Sequence, residues 1–273
     1  MSRPIVRGPA DAASASLGDN SASAQLEYWL GERWWACALF LDVDGTLLDI
    51  AESPEAVRVP GELRGALHIL HERLGGALAL ISGRTLDNLD RLFAPLHLPA
   101  SGGHGAQWRA RADESQHVAT VARLAAPVRE RLHALARAHA GVLLEDKGSS
   151  IALHYRAAPD AGPLLAPALH GLLSEPQAAG LRLLPGKMVF ELLAHGSDKA
   201  QAIRRLLEKP PFAGRRPLFI GDDVTDEPAL AMMADLDGLA LSVGRRLPGA
   251  SAAFADPAAV RAALIRAAGG IPR

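Results

Sequence analysis

The sequence predicts an α/β protein: a doubly wound, mostly parallel sheet interrupted by an inserted α+β module. Three observations carry this expectation. Short apolar runs alternate with amphipathic stretches toward both ends of the chain, the pattern of buried parallel strands joined by helical crossovers. In the middle the order changes to helix, strand, strand, helix, strand, strand. Chemically active side chains collect where the apolar runs stop, and open α/β sheets place their ligands at those carboxyl ends.

The elements follow in order. The first 25 residues are rich in Ala, Ser, Gly and Asp and read as a mobile tail; they lack the apolar centre of a secretory signal. Gln25 to Trp35 reads as a short helix, with Trp34 and Trp35 packed on the body. Cys37 to Val43 is the first strand. Gly61 to Leu74 has Leu63, Leu67 and Leu70 at helical spacing, and Gly75-Gly76 ends it. Ala77 to Ile81 is a second strand, and a helix runs from Leu86 to Phe93.

The middle reads as a long Arg-rich helix, Val118 to His139, then strands Gly141 to Glu145 and Ser150 to Tyr155 around the hairpin signal Asp146-Lys147-Gly148. Gly162 to Leu173 is helical, and Leu181 to Leu184 pairs with Met188 to Leu193 around Pro185-Gly186. The alternating pattern then resumes. Ser197 is placed to cap a helix from Asp198 to Glu208. Strand Pro217 to Ile220, helix Pro228 to Ala234, strand Leu239 to Val243 and helix Pro257 to Ala268 complete the body. The expected division is therefore 26–107 with 195–273 as one body and 108–194 as the insert.

Composition narrows the function. A chain of 273 residues with 49% apolar content can bury one large or two modest cores. A net charge of −1, with no basic face carrying aromatics, leaves no footprint for nucleic acid. No apolar stretch reaches the length of a membrane span. The single Cys37 excludes an internal disulfide framework and a cysteine-rich metal site. A cytoplasmic location is the expectation by default, and a monomer is expected with it.

Four signals lie at strand ends or the helix starts beside them. Asp42-Val43-Asp44-Gly45-Thr46 places two carboxylates two residues apart, on one face of an extended segment. Gly45 permits a tight turn whose amide can approach an anion. This pair suits phosphoryl transfer through an aspartyl-phosphate, one Asp as nucleophile and metal ligand, the other trading protons. Ser82 offers a hydroxyl and nearby amides to a phosphoryl oxygen. Lys199, in the first turn of its helix, opposes the helix dipole unless it faces phosphate and carboxylates. Asp222, Asp223 and Asp226 form an acidic cluster that calls for a cation. Singly these also read as a turn, a helix cap, a solvated lysine and another turn. Their joint occurrence in this order is what those readings do not explain.

Together these residues resemble the haloacid dehalogenase superfamily of phosphohydrolases. Asp42 to Thr46 looks like its first motif, Ser82 its second, Lys199 its third and Gly221-Asp222-Asp223 its fourth. The resemblance implies a Rossmann-like core with an inserted cap domain. It implies that Asp42 attacks phosphorus and that Asp44 protonates the leaving sugar oxygen, then activates water. Mg²⁺ would be held by Asp42, the backbone carbonyl of Asp44 and Asp222. Ser82 and Lys199 would stabilise the transferring phosphoryl group, and Asp223 and Asp226 would support the site.

Gly221-Asp222-Asp223-Val224-Thr225-Asp226-Glu227 is similar to the GDDxTDE signature of the trehalose-6-phosphate phosphatase family. Ile81-Ser82-Gly83-Arg84, His104-Gly105-Ala106 and Lys147-Gly148 through Arg156 also resemble that family. The resemblance implies trehalose 6-phosphate as substrate. Asp42, Asp44, Gly45, Ser82, Gly83 and Arg84 would then surround the phosphate. Glu145, Lys147 and Glu191 would contact the sugar, with Gly186 and Lys187 nearby. A plain hairpin turn also accounts for Glu145 and Lys147, and fold support accounts for His154 and Arg156. Two positions depart from the family pattern: Ala200 follows Lys199 where Gly is usual, and Gln107 stands where many relatives carry Glu. The alternatives are a phosphatase for sucrose phosphate or mannosyl-phosphoglycerate, or a sugar-phosphate sensor without turnover.

Overall fold

The computed structural model describes residues 21–32, 34–50, 57–118, 124–148, 150–186, 188–194 and 198–269. Its elements, in chain order, are α1 (Ala22–Glu32), β1 (Cys37–Leu41), α2 (Gly61–Arg73), β2 (Leu78–Ile81), α3 (Leu86–Phe93), β3 (Ala100–Gly102), β4 (Gln107–Arg109) and β5 (His117–Val118). There follow α4 (Ala126–Ala138), β6 (Leu143–Asp146), β7 (Ser150–His154), α5 (Gly162–Leu173), β8 (Leu181–Gly186) and β9 (Val189–Ala194). The chain closes with α6 (Lys199–Leu207), β10 (Arg216–Gly221), α7 (Glu227–Asp235), β11 (Leu239–Val243), β12 (Ala252–Phe254) and α8 (Pro257–Gly269).

Two sheets organise the molecule. The first has eight strands in the order β12-β11-β10-β1-β2-β3-β4-β5. Its strands run parallel from β12 to β3, and β4 and β5 add on antiparallel. Strands β1, β2 and β11 are buried along their whole length, which is why they read as unbroken apolar runs. The second sheet is antiparallel, β6-β7-β9-β8. One of its faces carries Ile151, Leu153 and Leu192, packed against Val128 and Leu132 of α4 and Leu165 and Leu169 of α5. The α/β class with a mostly parallel central sheet is as expected. Among the described residues no helix is long and apolar enough to cross a membrane.

Several boundaries differ from the sequence reading, each for a local reason. Helix α1 takes in Ala22–Gln25 of the expected tail, because the Ser21 hydroxyl accepts from the Ala24 amide and Ala22, Leu26 and Leu30 are buried. Residues 1–20 of that tail lie outside the described residues. The helix expected from Val118 starts at Ala126 with a proline in its first turn, while Val118 belongs to β5. The division expected between residues 107 and 108 falls inside β4, whose Trp108 pairs with His117 of β5 and stacks on its ring. Asp198, one residue beyond Ser197, is the cap of α6, its carboxylate accepting from the Gln201 amide at 2.7 Å. Ser197 and Lys187 lie outside the described residues.

Candidate active site

Parallel pairing brings the ends of β1, β2 and β10 level. Leu41 pairs with both Ile220 and Leu80, and the Asp42 amide donates to the Ile220 carbonyl at 3.0 Å. The loops after these three strands therefore start side by side, and they carry Asp42 and Asp44, Ser82, and Asp222 and Asp223.

Asp42 is buried at the centre. Its Oδ1 accepts from Lys199 Nζ at 2.6 Å and its Oδ2 from Thr46 Oγ1 at 3.1 Å. The same Thr46 oxygen lies 3.0 Å from Oδ1 of Asp222. A hydroxyl has one proton to donate, so Thr46 serves both carboxylates but satisfies only one at a time. Gly45 makes this approach possible. Its φ is +85°, and a Cβ there would lie 2.1 Å from Oδ2 of Asp222.

Lys199 is the first residue of α6 and is buried, with Nζ 2.6 Å from Asp42 and 2.6 Å from Oδ1 of Asp226. Burial pulls its pKa down, but the two carboxylates outweigh burial, and the ammonium is held well above its ordinary range. The other oxygen of Asp226 accepts from the amides of Asp222 and Asp223, each at 3.0 Å. Asp223 caps the short turn Val224–Asp226, accepting from the Val224 amide at 2.7 Å.

Oxygens of Asp42, Asp222 and Asp226 all lie within 4.8 Å of one another. Three carboxylates against one ammonium leave excess negative charge in a buried centre. Burial accordingly pushes Asp42 well above the usual carboxylate range, Lys199 opposing and Asp226 and Asp222 reinforcing. Burial raises Asp222 as well. Burial raises both Asp42 and Asp222, so these are the carboxylates that a hard, oxygen-seeking cation would relieve. The donor set fits a metal ion.

Asp44 is not aimed at that cluster. Its carboxylate is gripped by Arg84, which also donates from Nη1 to Asn88 Oδ1 at 2.8 Å. Ser82 is buried, and its hydroxyl accepts from the Arg84 amide at 3.1 Å. Gly83 has no room for a side chain, since a Cβ would lie 2.7 Å from the His104 ring. Gln107 accepts from the Leu86 amide at 2.9 Å, the first of α3, whose cap is Thr85.

Over these loops lies the free face of the four-stranded sheet. Side chains alternate along a strand, and the residues opposite those facing α4 and α5 are Glu145, His154 and Glu191. Ala152 pairs with Glu145 on one side and Glu191 on the other, and Leu184 pairs with Glu191, so these four form one row. The small Ala152 leaves space between the two carboxylates. Glu191 is buried and accepts from Ser150 Oγ at 2.6 Å and Lys147 Nζ at 3.1 Å. Burial would raise its pKa, but His104 and Lys147 outweigh it and hold the carboxyl well below its ordinary range. Glu145 accepts from His154 at 3.0 Å, and that bond, against burial, lowers its pKa.

Between floor and roof is a cavity of about 390 Å³, lined by Asp42, Ser82, Lys199 and Asp222 below and by Glu145, Lys147, Gly186 and Glu191 above. The two groups named from sequence thus meet across one space. Thr46 and Ser150 lie within motifs quoted from the sequence, but their bonds to Asp222 and Glu191, far along the chain, are added by the structure. His104 is also added: its motif is legible in the sequence, but its contact with the far side of the cavity is not.

Comparison with known proteins agrees with this geometry. The family model described as trehalose-phosphatase matches residues 40–247. A probable trehalose-phosphate phosphatase of Sinorhizobium fredii is 42% identical over 254 residues, covering 91% of each chain. The trehalose-6-phosphate phosphatase of Escherichia coli is 39% identical over 210 residues, 76% of this chain and 77% of that one. Among solved structures, the C-terminal domain of the C. albicans trehalose-6-phosphate phosphatase superposes with a TM-score of 0.79 at 22% identity, covering 91% of this chain and 97% of that chain.

Proposed function

The chain belongs to the trehalose-phosphatase family, and from that premise we propose that it hydrolyses trehalose 6-phosphate to trehalose and inorganic phosphate. The observation that carries the reading is the cavity with a carboxylate-and-lysine floor suited to phosphoryl transfer and a roof of Glu145, Lys147 and Glu191 suited to sugar hydroxyls. In this reading residues 124–194 act as the cap and the eight-stranded sheet with its helices as the core. The protein is taken as a cytoplasmic monomer whose partner is the small-molecule substrate, with neither nucleic acid nor membrane involved.

Asp42 is the nucleophile. Its carboxylate oxygen bonds to phosphorus while the bond from phosphorus to the sugar oxygen breaks, and Asp44 delivers its proton to that oxygen. Asp44, now a carboxylate, takes a proton from water. The water oxygen attacks phosphorus, and the bond to Asp42 breaks to release phosphate. The Lys199 ammonium and the Ser82 hydroxyl face the charge that builds on the phosphoryl oxygens. The proposed metal is Mg²⁺, held by Asp42, Asp222 and the Asp44 carbonyl, and when bound it supplies further charge stabilisation to the phosphoryl group. Above, Glu145, Lys147 and Glu191 orient the disaccharide.

The test is phosphate release from a panel of sugar phosphates, with Mg²⁺ and with chelator. Mg²⁺-dependent preference for trehalose 6-phosphate is the expected result. Preference for sucrose phosphate or mannosyl-phosphoglycerate would overturn the substrate and keep the chemistry. No release from any substrate would leave a sensor.

A further inference from the structure

We infer that His104, a residue of the core, is a positioning residue for sugar recognition: it fixes the cap carboxylate Glu191 in the plane from which it receives a substrate hydroxyl. The inference rests on the trehalose 6-phosphate reading and adds a residue to it. His104 Nε2 lies 3.0 Å from Oε2 of Glu191, and both side chains are 9% exposed, so this polar contact between the two bodies is shielded from water. Glu191 already accepts from Lys147 and Ser150, and a carboxylate in that role has no proton to give, so Nε2–H is the donor.

The acceptor arithmetic gives the contact its consequence. A carboxylate has about four acceptor positions. Lys147 and Ser150 take both positions of Oε1, and His104 takes one of Oε2. One position remains, on Oε2. The two oxygens swing together about the last side-chain bond, and Lys147 and Ser150 restrain that swing through Oε1 alone. His104 holds the second oxygen, and with it the direction of the remaining acceptor.

The surrounding core is shaped to hold the ring. His104 has φ +54°, rare for a residue with a side chain. Its amide donates to the Ser82 carbonyl at 3.3 Å, and the absence of a Cβ at Gly83 makes space for the imidazole. Arg205 of α6 donates to the Gly105 carbonyl at 2.8 Å, tying the turn to the helix that begins with Lys199. The ring therefore links the Ser82 loop, on the phosphate side, to the carboxylate on the sugar side.

Two amide variants test this. In H104Q the side-chain nitrogen reaches the place of Nε2; in H104N it falls short, while Asn accepts the left-handed backbone well. The readout is the ratio of kcat/KM on trehalose 6-phosphate to kcat/KM on 4-nitrophenyl phosphate, with KM and kcat separated. A hydrogen bond to a charged group is worth roughly tenfold or more. The ratio should fall by about that factor in H104N, mainly through KM for the sugar phosphate, and recover most of the loss in H104Q. An unchanged ratio in H104N, or an equal loss in H104Q, overturns the assignment. Should H104Q not fold, H104N against the wild type decides by the same ratio. If the wild type releases no phosphate from trehalose 6-phosphate, the functional reading itself has failed. Hydrogen exchange then judges the contact: amides of β9 should exchange faster in H104N than in the wild type, and equal protection overturns it.

Discussion

Arg84 holds Asp44 through two parallel hydrogen bonds, Nε to Oδ2 and Nη2 to Oδ1, each 2.7 Å long. A fork of this kind matches an ionised carboxylate. It is the form of Asp44 suited to take a proton from water. A protonated Asp44 keeps acceptor capacity on both oxygens, so the proton for a leaving sugar must sit outside the fork. Asn88 in turn braces the guanidinium, so the geometry of the acid–base residue depends on the first turn of α3.

R84K keeps the charge and loses the fork. Since positioned acid–base groups contribute on the order of 100-fold or more, kcat on trehalose 6-phosphate should drop by about 10- to 100-fold. The drop should be smaller on 4-nitrophenyl phosphate, whose leaving group needs no proton. Equal losses on both esters would mean that Arg84 acts on the phosphate and not through Asp44.

Gly45 is the tightest point of the centre. G45A meets a backbone at φ +85° and places a carbon 2.1 Å from Asp222 Oδ2. Either Asp222 moves or the turn does. The strain of a left-handed alanine alone costs about 1 kcal/mol. The expected outcome is a lower Tm together with at least about a tenfold loss of turnover, the scale of a catalytic group misplaced by about an ångström. Wild-type turnover in G45A would show that the Asp222 position is unimportant.

Removing the cation should be visible without chemistry. A ligand that binds only the folded protein stabilises it by about 2.7 kcal/mol at a hundredfold excess over Kd. Mg²⁺ should raise the Tm of the wild type, and chelator should abolish the rise. In D222N one of the two carboxylates proposed to hold the ion is gone, and the rise should vanish along with turnover. A full Mg²⁺ response in D222N would move the ion elsewhere.

The fold was readable where burial is continuous. Strand β11, buried throughout, has the limits of its apolar run, and helix α5 has the expected limits for a different reason, with Leu165, Leu169 and Leu172 buried at helical spacing. The strands missed, β3, β4, β5 and β12, are two or three residues long, too short for any period to show. Lys199 was legible from a physical conflict, a cation at the positive end of a helix, and the structure resolves it with Asp42 and Asp226. The bond from His104 to Glu191 spans 87 positions and joins two bodies, a relation that local pattern does not encode.

Glu191 makes the cap sensitive to acid, and the sign can be worked out. Its folded-state pKa lies below the ordinary value of 4.5, because His104 and Lys147 favour the carboxylate more than burial disfavours it. Below that ordinary value the unfolded chain binds a proton that the folded chain does not, so stability rises with pH there. The contribution is fully present above the unfolded pKa and is lost as pH falls through the folded one. E191Q removes the charge and leaves Lys147 only the longer contact to Glu145, 3.9 Å away, which at neutral pH should cost about 3 kcal/mol, the scale of a broken buried pair. The difference in stability between wild type and E191Q should therefore be largest above pH 5 and shrink as the pH drops below about 4. Other carboxylates titrate in both proteins, so the difference isolates this one. Denaturant melts of the two proteins between pH 3 and 7 give the comparison. A difference that stays constant across that range would mean that Glu191 is not held as an anion by the core and the cap together.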